Sequence, residues 1–260
     1  VATILVITSF GEMLADSGFQ KFLIQRPIED KKSLNDYANV AFWTSLAIAI
    51  LLVGLIAVAR DKLAAFAGNP GLGFPLLIAS TSLPLTVGVS TQMALFHRAL
   101  EYKKLLPIRV GAALTTLIVA VPMASLDCGY WSLIAGILAS TLVQAVALTY
   151  ISSWKPQMRY SFTTLRQMFS LSGWSLLEAI SIWLNGSAIV FIVGRLLGSH
   201  ELGLFRQPLL LVVSMFAVVT AATTPVLFSS LSRLQSDPAA FRAFFFTFQF
   251  YVSLLVLPVK

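Results

Sequence analysis

The amino-acid sequence predicts an all-α protein, a polytopic bundle of transmembrane helices. Three observations carry that prediction. The 260 residues are 57% hydrophobic and 11% charged, where a soluble domain of this size carries about 25% charged residues. Mean hydropathy is +0.84. Apolar runs, most of them at least about 18 residues long and so able to cross a bilayer as helices, recur along the whole chain.

The expected spans are 1–22, 37–59, 74–96, 108–126, 130–151, 169–197, 204–231 and 241–259. Short connections carrying Pro, Gly, Asn and Asp separate them, and none is long enough to hold a soluble domain. Val1 and Lys260 both fall inside apolar runs, so the sequence reads as cut at both ends, with one span expected before Val1. The single cysteine, Cys128, excludes an internal disulfide and a cysteine-based metal cluster. The net charge of +7 points to loops retained on the cytoplasmic side rather than to nucleic acid. Basic residues concentrate in alternate loops: Lys21, Arg26, Lys31 and Lys32, then Arg98, Lys103, Lys104 and Arg109, then Lys155, Arg159 and Arg166, then Arg233 and Arg242. The intervening loops are poorer, and 127–129 has no basic residue. The richer side is therefore expected in the cytoplasm.

A shift of 207 positions lays Arg26 on Arg233 and Asp30 on Asp237, within matching patterns of span, basic turn and span. Such a repeat implies two halves of six spans each, as in secondary transporters. The expected division is an N-terminal lobe over 1–153, a cytoplasmic linker over 154–168 and the start of a C-terminal lobe over 169–260.

Ionisable groups inside a membrane span are costly and mark functional sites. Glu12 and Asp16 are four apart in the first span and face the same way, with Thr8 one turn back. They are candidates for coupling to a proton or sodium ion, or for an ion pair; Asp16-Ser17-Gly18 also reads as a helix interruption. In the sixth span Ser170, Trp174, Glu178, Ser181 and Asn185 share one helix face, as expected of a helix lining a wet cavity. Trp174, Glu178, Ser181 and Asn185 are accordingly candidates for substrate contact, and Glu178 also for ion coupling. A hydrogen-bonded helix–helix contact is the alternative for Glu178. Replacement of Glu178 by Gln is expected to abolish transport without loss of folded protein.

Arg60, Arg195 and Arg206 fall near the outer ends of spans. Their planar forks suit pyrophosphate, though arginines there also snorkel to headgroups. His97-Arg98 and Glu101-Tyr102-Lys103-Lys104 occupy a turn where attraction to anionic lipid is expected. The third span combines Pro75, Pro84 and Gly88 with six hydroxyl residues, so a bend is expected there. No metalloprotease, nucleotide-binding or nucleophile motif occurs, and the two histidines lie in different loops. No cofactor and no enzymatic activity are expected.

Several short motifs, in order, resemble a known family. Asp16-Ser17-Gly18-Phe19, Leu23-Ile24-Gln25-Arg26 and Ala41-Phe42-Trp43 are similar to a signature of polysaccharide flippases. His97-Arg98-Ala99-Leu100-Glu101-Tyr102-Lys103-Lys104 resembles that family's basic turn, with His97 in place of the usual Gln. Gly129-Tyr130-Trp131-Ser132-Leu133, Trp154-Lys155-Pro156 and Val193-Gly194-Arg195-Leu196-Leu197-Gly198 with Leu202-Gly203 match its span starts and turns, although Leu204-Phe205 replaces a double aromatic. The family is the Wzx-like lipopolysaccharide or exopolysaccharide exporters of the MATE-like multidrug/oligosaccharidyl-lipid/polysaccharide superfamily.

The resemblance implies two six-helix lobes around a central cavity. It implies movement of an undecaprenyl-pyrophosphate-linked oligosaccharide across the cytoplasmic membrane of a bacterium by alternating access. The partners would then be that substrate, membrane lipids and a coupling proton or sodium ion. A drug/cation antiporter is the alternative transporter, and a membrane polymerase or ligase the enzymatic one.

Overall fold

The structure is a computed structural model describing the backbone of residues 2–16, 18–26, 30–66, 70–196, 198–235 and 237–256. Side chains are described for these except 2, 3, 5, 6, 31, 66, 70, 170, 171, 187–196, 198–203, 205–207, 209, 210, 218, 219, 222, 255 and 256. Ten α-helices make up the described fold: α1 (Ala2–Asp16), α2 (Phe19–Gln25), α3 (Lys31–Phe66), α4 (Gly73–Ser80), α5 (Ser82–Ala99), α6 (Tyr102–Ser125), α7 (Tyr130–Ile151), α8 (Phe162–Leu196), α9 (Gly198–Arg233) and α10 (Pro238–Val256). No strand occurs among the described residues.

Several helices begin earlier than hydropathy alone predicts, because polar caps and amphipathic turns extend them beyond their apolar cores. Asp30 caps α3: its carboxylate accepts the backbone N–H of Lys32 and Ser33 at 3.1 and 3.3 Å. These hydrogen bonds, Lys32 foremost, hold the Asp30 carboxyl below its ordinary pKa. At 36 residues, α3 is about 54 Å long against a hydrocarbon core of about 30 Å. Arg60, expected in a loop, is therefore still on the helix, where its Nε lies 3.6 Å from Asp61 Oδ1. Ser161 caps α8 through the Thr164 N–H, so that helix starts at Phe162 rather than Phe169. Asp237 caps α10 through the N–H groups of Ala239 and Ala240, with Pro238 in the first turn.

The third expected span is broken at Thr81, between α4 and α5. Pro84 has no N–H to give the turn before it, and hydroxyls occupy the neighbouring carbonyls. Ser80 Oγ donates to Leu77 O at 2.7 Å, Thr81 Oγ1 to Ile78 O at 2.6 Å and Ser82 Oγ to Ala79 O at 2.8 Å. The first expected span is likewise interrupted, between α1 and α2.

The chain divides into two compact units: Val1–Leu23 with Ile28–Ile180, and Ile24–Pro27 with Ser181–Lys260. In the first, Ile4, Ala15, Ala49, Ile56, Leu76, Leu83, Val87 and Ile134 form one core, and Val89, Phe96, Leu105, Ile108 and Leu148 a second. Gly136 lets α7 approach α6, since a Cβ there would stand 3.1 Å from Ala120 Cβ and 3.2 Å from Thr116 O. The outer faces are apolar instead: Ile50, Leu51, Leu55 and Val58 on α3, and Leu106, Val110, Leu114, Leu117 and Ile118 on α6, are exposed. Such continuous apolar surface suits lipid, not water. Four stretches, Lys32–Ala65, Gly73–Ala99, Tyr102–Ser125 and Tyr130–Ile151, are long and apolar enough to cross a membrane. The other expected spans run partly through residues outside those described.

In the second unit, the Ser232 hydroxyl shares its one proton between the carbonyls of Gln25 at 2.9 Å and Ile24 at 3.1 Å. Gln25 and Ser232 are 207 positions apart, the spacing of the sequence repeat.

Candidate functional site

Within the first unit, α1, α4, α5 and α7 line a partly open hollow of about 280 Å³. Ile4, Thr8 and Glu12 reach it from α1 at successive steps of four, which keeps them on one face. Ser9 joins them, Ala79 and Ser82 come from the break between α4 and α5, and Leu133, Ile134, Ile137 and Leu138 form the α7 wall. The break matters to the site: it places Ser82 beside the hollow, and one turn on Thr86 hydrogen-bonds the Glu12 carboxylate. Thr86 Oγ1 also lies 3.0 Å from Ser82 O, so its one proton serves either the carboxylate or that carbonyl at a time. Thr8 is buried and its hydroxyl donates to Ile4 O at 2.9 Å.

One carboxylate and several hydroxyls in an otherwise apolar chamber can hold a small cation or a proton with a few waters, each about 30 Å³. At about 280 Å³ the hollow lies at the small end of the roughly 300–1,000 Å³ range of drug-sized pockets.

Asp16 stands one turn beyond Glu12 on α1 and is not among the residues lining the hollow. It ends α1, and its carboxylate accepts hydrogen bonds from the side chain and N–H of Gln20 and the N–H of Gly18, beside Lys21. The interruption expected at Asp16-Ser17-Gly18 is present, with Ser17 outside the described residues. Gly18 has φ +74°, and a Cβ on it would stand 2.8 Å from both Ser172 O and Ser175 Cβ. Only glycine allows α2 so close to α8.

On α8, Glu178 Oε2 lies 2.6 Å from Lys21 Nζ, with the two side chains 56% and 42% exposed. The pairing joins positions 157 apart. Trp174 is 74% exposed one turn away, and Ser181 and Asn185 are exposed further along the helix. The side chains of Ser170, Arg195, Arg206 and His200 lie outside the described residues.

Around the expected cytoplasmic turn, Arg98 Nη1 donates to Leu23 O at 2.7 Å, Lys104 Nζ lies 2.8 Å from Glu101 Oε2, and Arg109 Nη2 lies 3.4 Å from His97 Nε2. Two partners escaped the sequence reading. Lys21 was legible as a cytoplasmic-side charge and as a neighbour of Asp16, but its pairing with Glu178 is tertiary. Thr86 was one of many hydroxyls in its span, and nothing local singled it out.

The helices, their lipid-facing surfaces and the carboxylate-bearing hollow define a multi-pass α-helical membrane protein. The particular family follows from comparison with known proteins: all of residues 1–260 match the polysaccharide biosynthesis protein family, and the chain belongs to it. It is 24% identical to the succinoglycan biosynthesis transport protein ExoT of Rhizobium meliloti, over 91% of this chain and 47% of that protein. It is 23% identical to the lipopolysaccharide biosynthesis protein WzxC of Escherichia coli, over 98% of this chain and 51% of that protein. The teichuronic acid biosynthesis protein TuaB of Bacillus subtilis is 20% identical over 97% of this chain and 52% of its own length. The chain thus spans about half the length of these relatives. No solved structure matches it.

Proposed function

We propose that this chain is part of a transporter for surface polysaccharide biosynthesis. It moves a lipid-linked oligosaccharide, an undecaprenyl-pyrophosphate-linked repeat unit, across the cytoplasmic membrane of a bacterium. The observation that carries this reading is the whole-length match to the polysaccharide biosynthesis protein family, alongside the chain's similarity to a relative named as a transport protein.

The physical problem is one of cost. Sugars and phosphates cannot enter hydrocarbon without hydrogen-bond partners, whereas a polyprenyl tail is at home there. A transporter therefore supplies a polar route for the headgroup and leaves the tail in lipid. In this reading two six-helix lobes alternate in opening to the two sides. Trp174, Ser181 and Asn185 contact sugar, and Arg60, Arg195 and Arg206 meet phosphate. Glu12, in its hydroxyl-lined hollow, is the favoured place for a coupling proton or sodium ion. Asp16 holds the α1–α2 break that shapes the hollow's helix, and Glu178 is the second coupling candidate through its exchangeable pairing with Lys21.

The test is leaflet-to-leaflet movement of a fluorescent lipid-linked oligosaccharide in vesicles containing the protein that carries this chain. Protein-dependent loss of outer-leaflet fluorescence to a membrane-impermeant quencher is expected to track the substrate headgroup. Export of small organic cations with no movement of lipid-linked sugar would replace this reading with a drug/cation antiporter.

A further inference from the structure

The segment expected to join two lobes, residues 154–168, is fastened along its length to the first compact unit. Trp154 is 6% exposed, and its ring lies 5.9 Å from that of Phe42 on α3. Both backbone groups of Gln157 are captured: its N–H donates to Asn39 Oδ1 at 3.0 Å, and its carbonyl accepts Trp43 Nε1–H at 2.8 Å. Asn39 is fully buried. An irregular segment has no helix to satisfy its backbone, and here α3 side chains do so. Further on, the Tyr160 hydroxyl lies 3.0 Å from Thr44 Oγ1, and Tyr37 OH donates to Gln167 Oε1 at 2.7 Å.

The fastening continues into α8. The rings of Phe19 and Phe169 meet edge to face at 6.0 Å, Gly18 abuts Ser172, and Lys21 pairs with Glu178. Two residues beyond Glu178, between Ile180 and Ser181, the chain passes from one compact unit to the other without leaving the helix.

We propose that residues 152–178 form a rigid strap that stays on the first unit throughout the working cycle, so that any rearrangement of the chain is taken up inside α8 beyond Glu178. A solvated linker of this length is ordinarily a flexible joint. This one has traded that freedom for side-chain and backbone anchors over two turns of α3. The cycle itself rests on the transport reading above; the rigidity of the strap does not.

Two measurements on the protein with Cys128→Ser test it. Spin labels at Asn35→Cys and Met158→Cys, both exposed positions, are expected to give one narrow distance, unchanged when lipid-linked oligosaccharide is added. A broad or shifting distribution would overturn the strap. Bridging Thr44→Cys to Tyr160→Cys with a short dithiol-reactive linker is expected to leave movement of lipid-linked oligosaccharide within about twofold of the unbridged rate. A tenfold or greater loss on bridging, reversed by cleaving the linker, would show that the segment must detach. If the unbridged protein moves no lipid-linked sugar, the transport reading falls, and the label distances alone decide on the strap.

Discussion

Glu12 and Glu178 look alike in sequence and differ in surroundings. Each is a carboxylate inside an apolar run, with polar residues at helical spacing around it. Glu12 lines a small hollow with apolar walls and hydrogen-bonds Thr86. Glu178 is half-exposed, and a lysine from a distant part of the chain neutralises it at 2.6 Å. The helical stripe reports only what shares a face. Whether that face meets a hollow or a counter-charge depends on which helix lies opposite. Among the described residues Glu12 has no ion pair, whereas Glu178 is paired with Lys21.

The largest effect that would break this contrast is at Gly18, whose close approach holds Lys21 within reach of Glu178. Gly18→Ala places a Cβ against a backbone carbonyl at positive φ, and about 1–3 kcal/mol of stability is expected to be lost. Thermal unfolding in detergent measures it, and an unchanged midpoint would mean that α2 and α8 are not in close contact. Next is the polar contact between α5 and α7 at Gln92, which is buried and donates to Thr149 Oγ1 at 2.8 Å. Gln92→Ala is expected to cost about 1 kcal/mol, read from the same unfolding curves.

The ion pair comes third. A double-mutant cycle on Lys21→Gln and Glu178→Gln is expected to give a coupling of only about 0.2–1 kcal/mol, weakening with added salt, because both side chains are substantially exposed. If Glu178 works through its partner, the double variant should also recover transport that Glu178→Gln loses. Continued inactivity of the double variant would instead assign the carboxylate a role of its own.

The smallest effect is at Asp30. Its folded carboxyl is held below the ordinary value by the N–H groups of Lys32 and Ser33. Its contribution to α3 is therefore present above the unfolded pKa and lost as pH falls through the folded one. Hydrogen exchange corrected for intrinsic rates should show the first turn of α3 loosening in acid. Asp30→Asn should keep the cap and remove that pH dependence.

Much of the fold was legible because hydrophobic runs in lipid are close to a direct readout of helices. The span at 130–151 coincides with α7, since a tight turn ahead of Tyr130 and the extended Ser152 behind it leave no room to drift. Elsewhere the ends moved outward. Asp30, Ser161 and Asp237 cap helices through polar turns that hydropathy counts as loop. The bend at Thr81 was foreseeable from Pro84 and its hydroxyl neighbours. The site was less legible. Thr8 and Glu12 shared a face by spacing alone, but the α7 wall and Thr86 belong to tertiary packing, as does the partnership of Lys21 with Glu178.

The most direct test of the central contrast is gradient-driven movement of a labelled lipid-linked oligosaccharide in vesicles, comparing Glu12→Gln with the unsubstituted protein under imposed proton and sodium gradients. The acceleration by the coupling gradient is expected to disappear in Glu12→Gln, a loss of about 5–150-fold, while folding and gradient-independent movement persist. Full gradient-driven movement by folded Glu12→Gln would contradict the assignment of its hollow as the ion site.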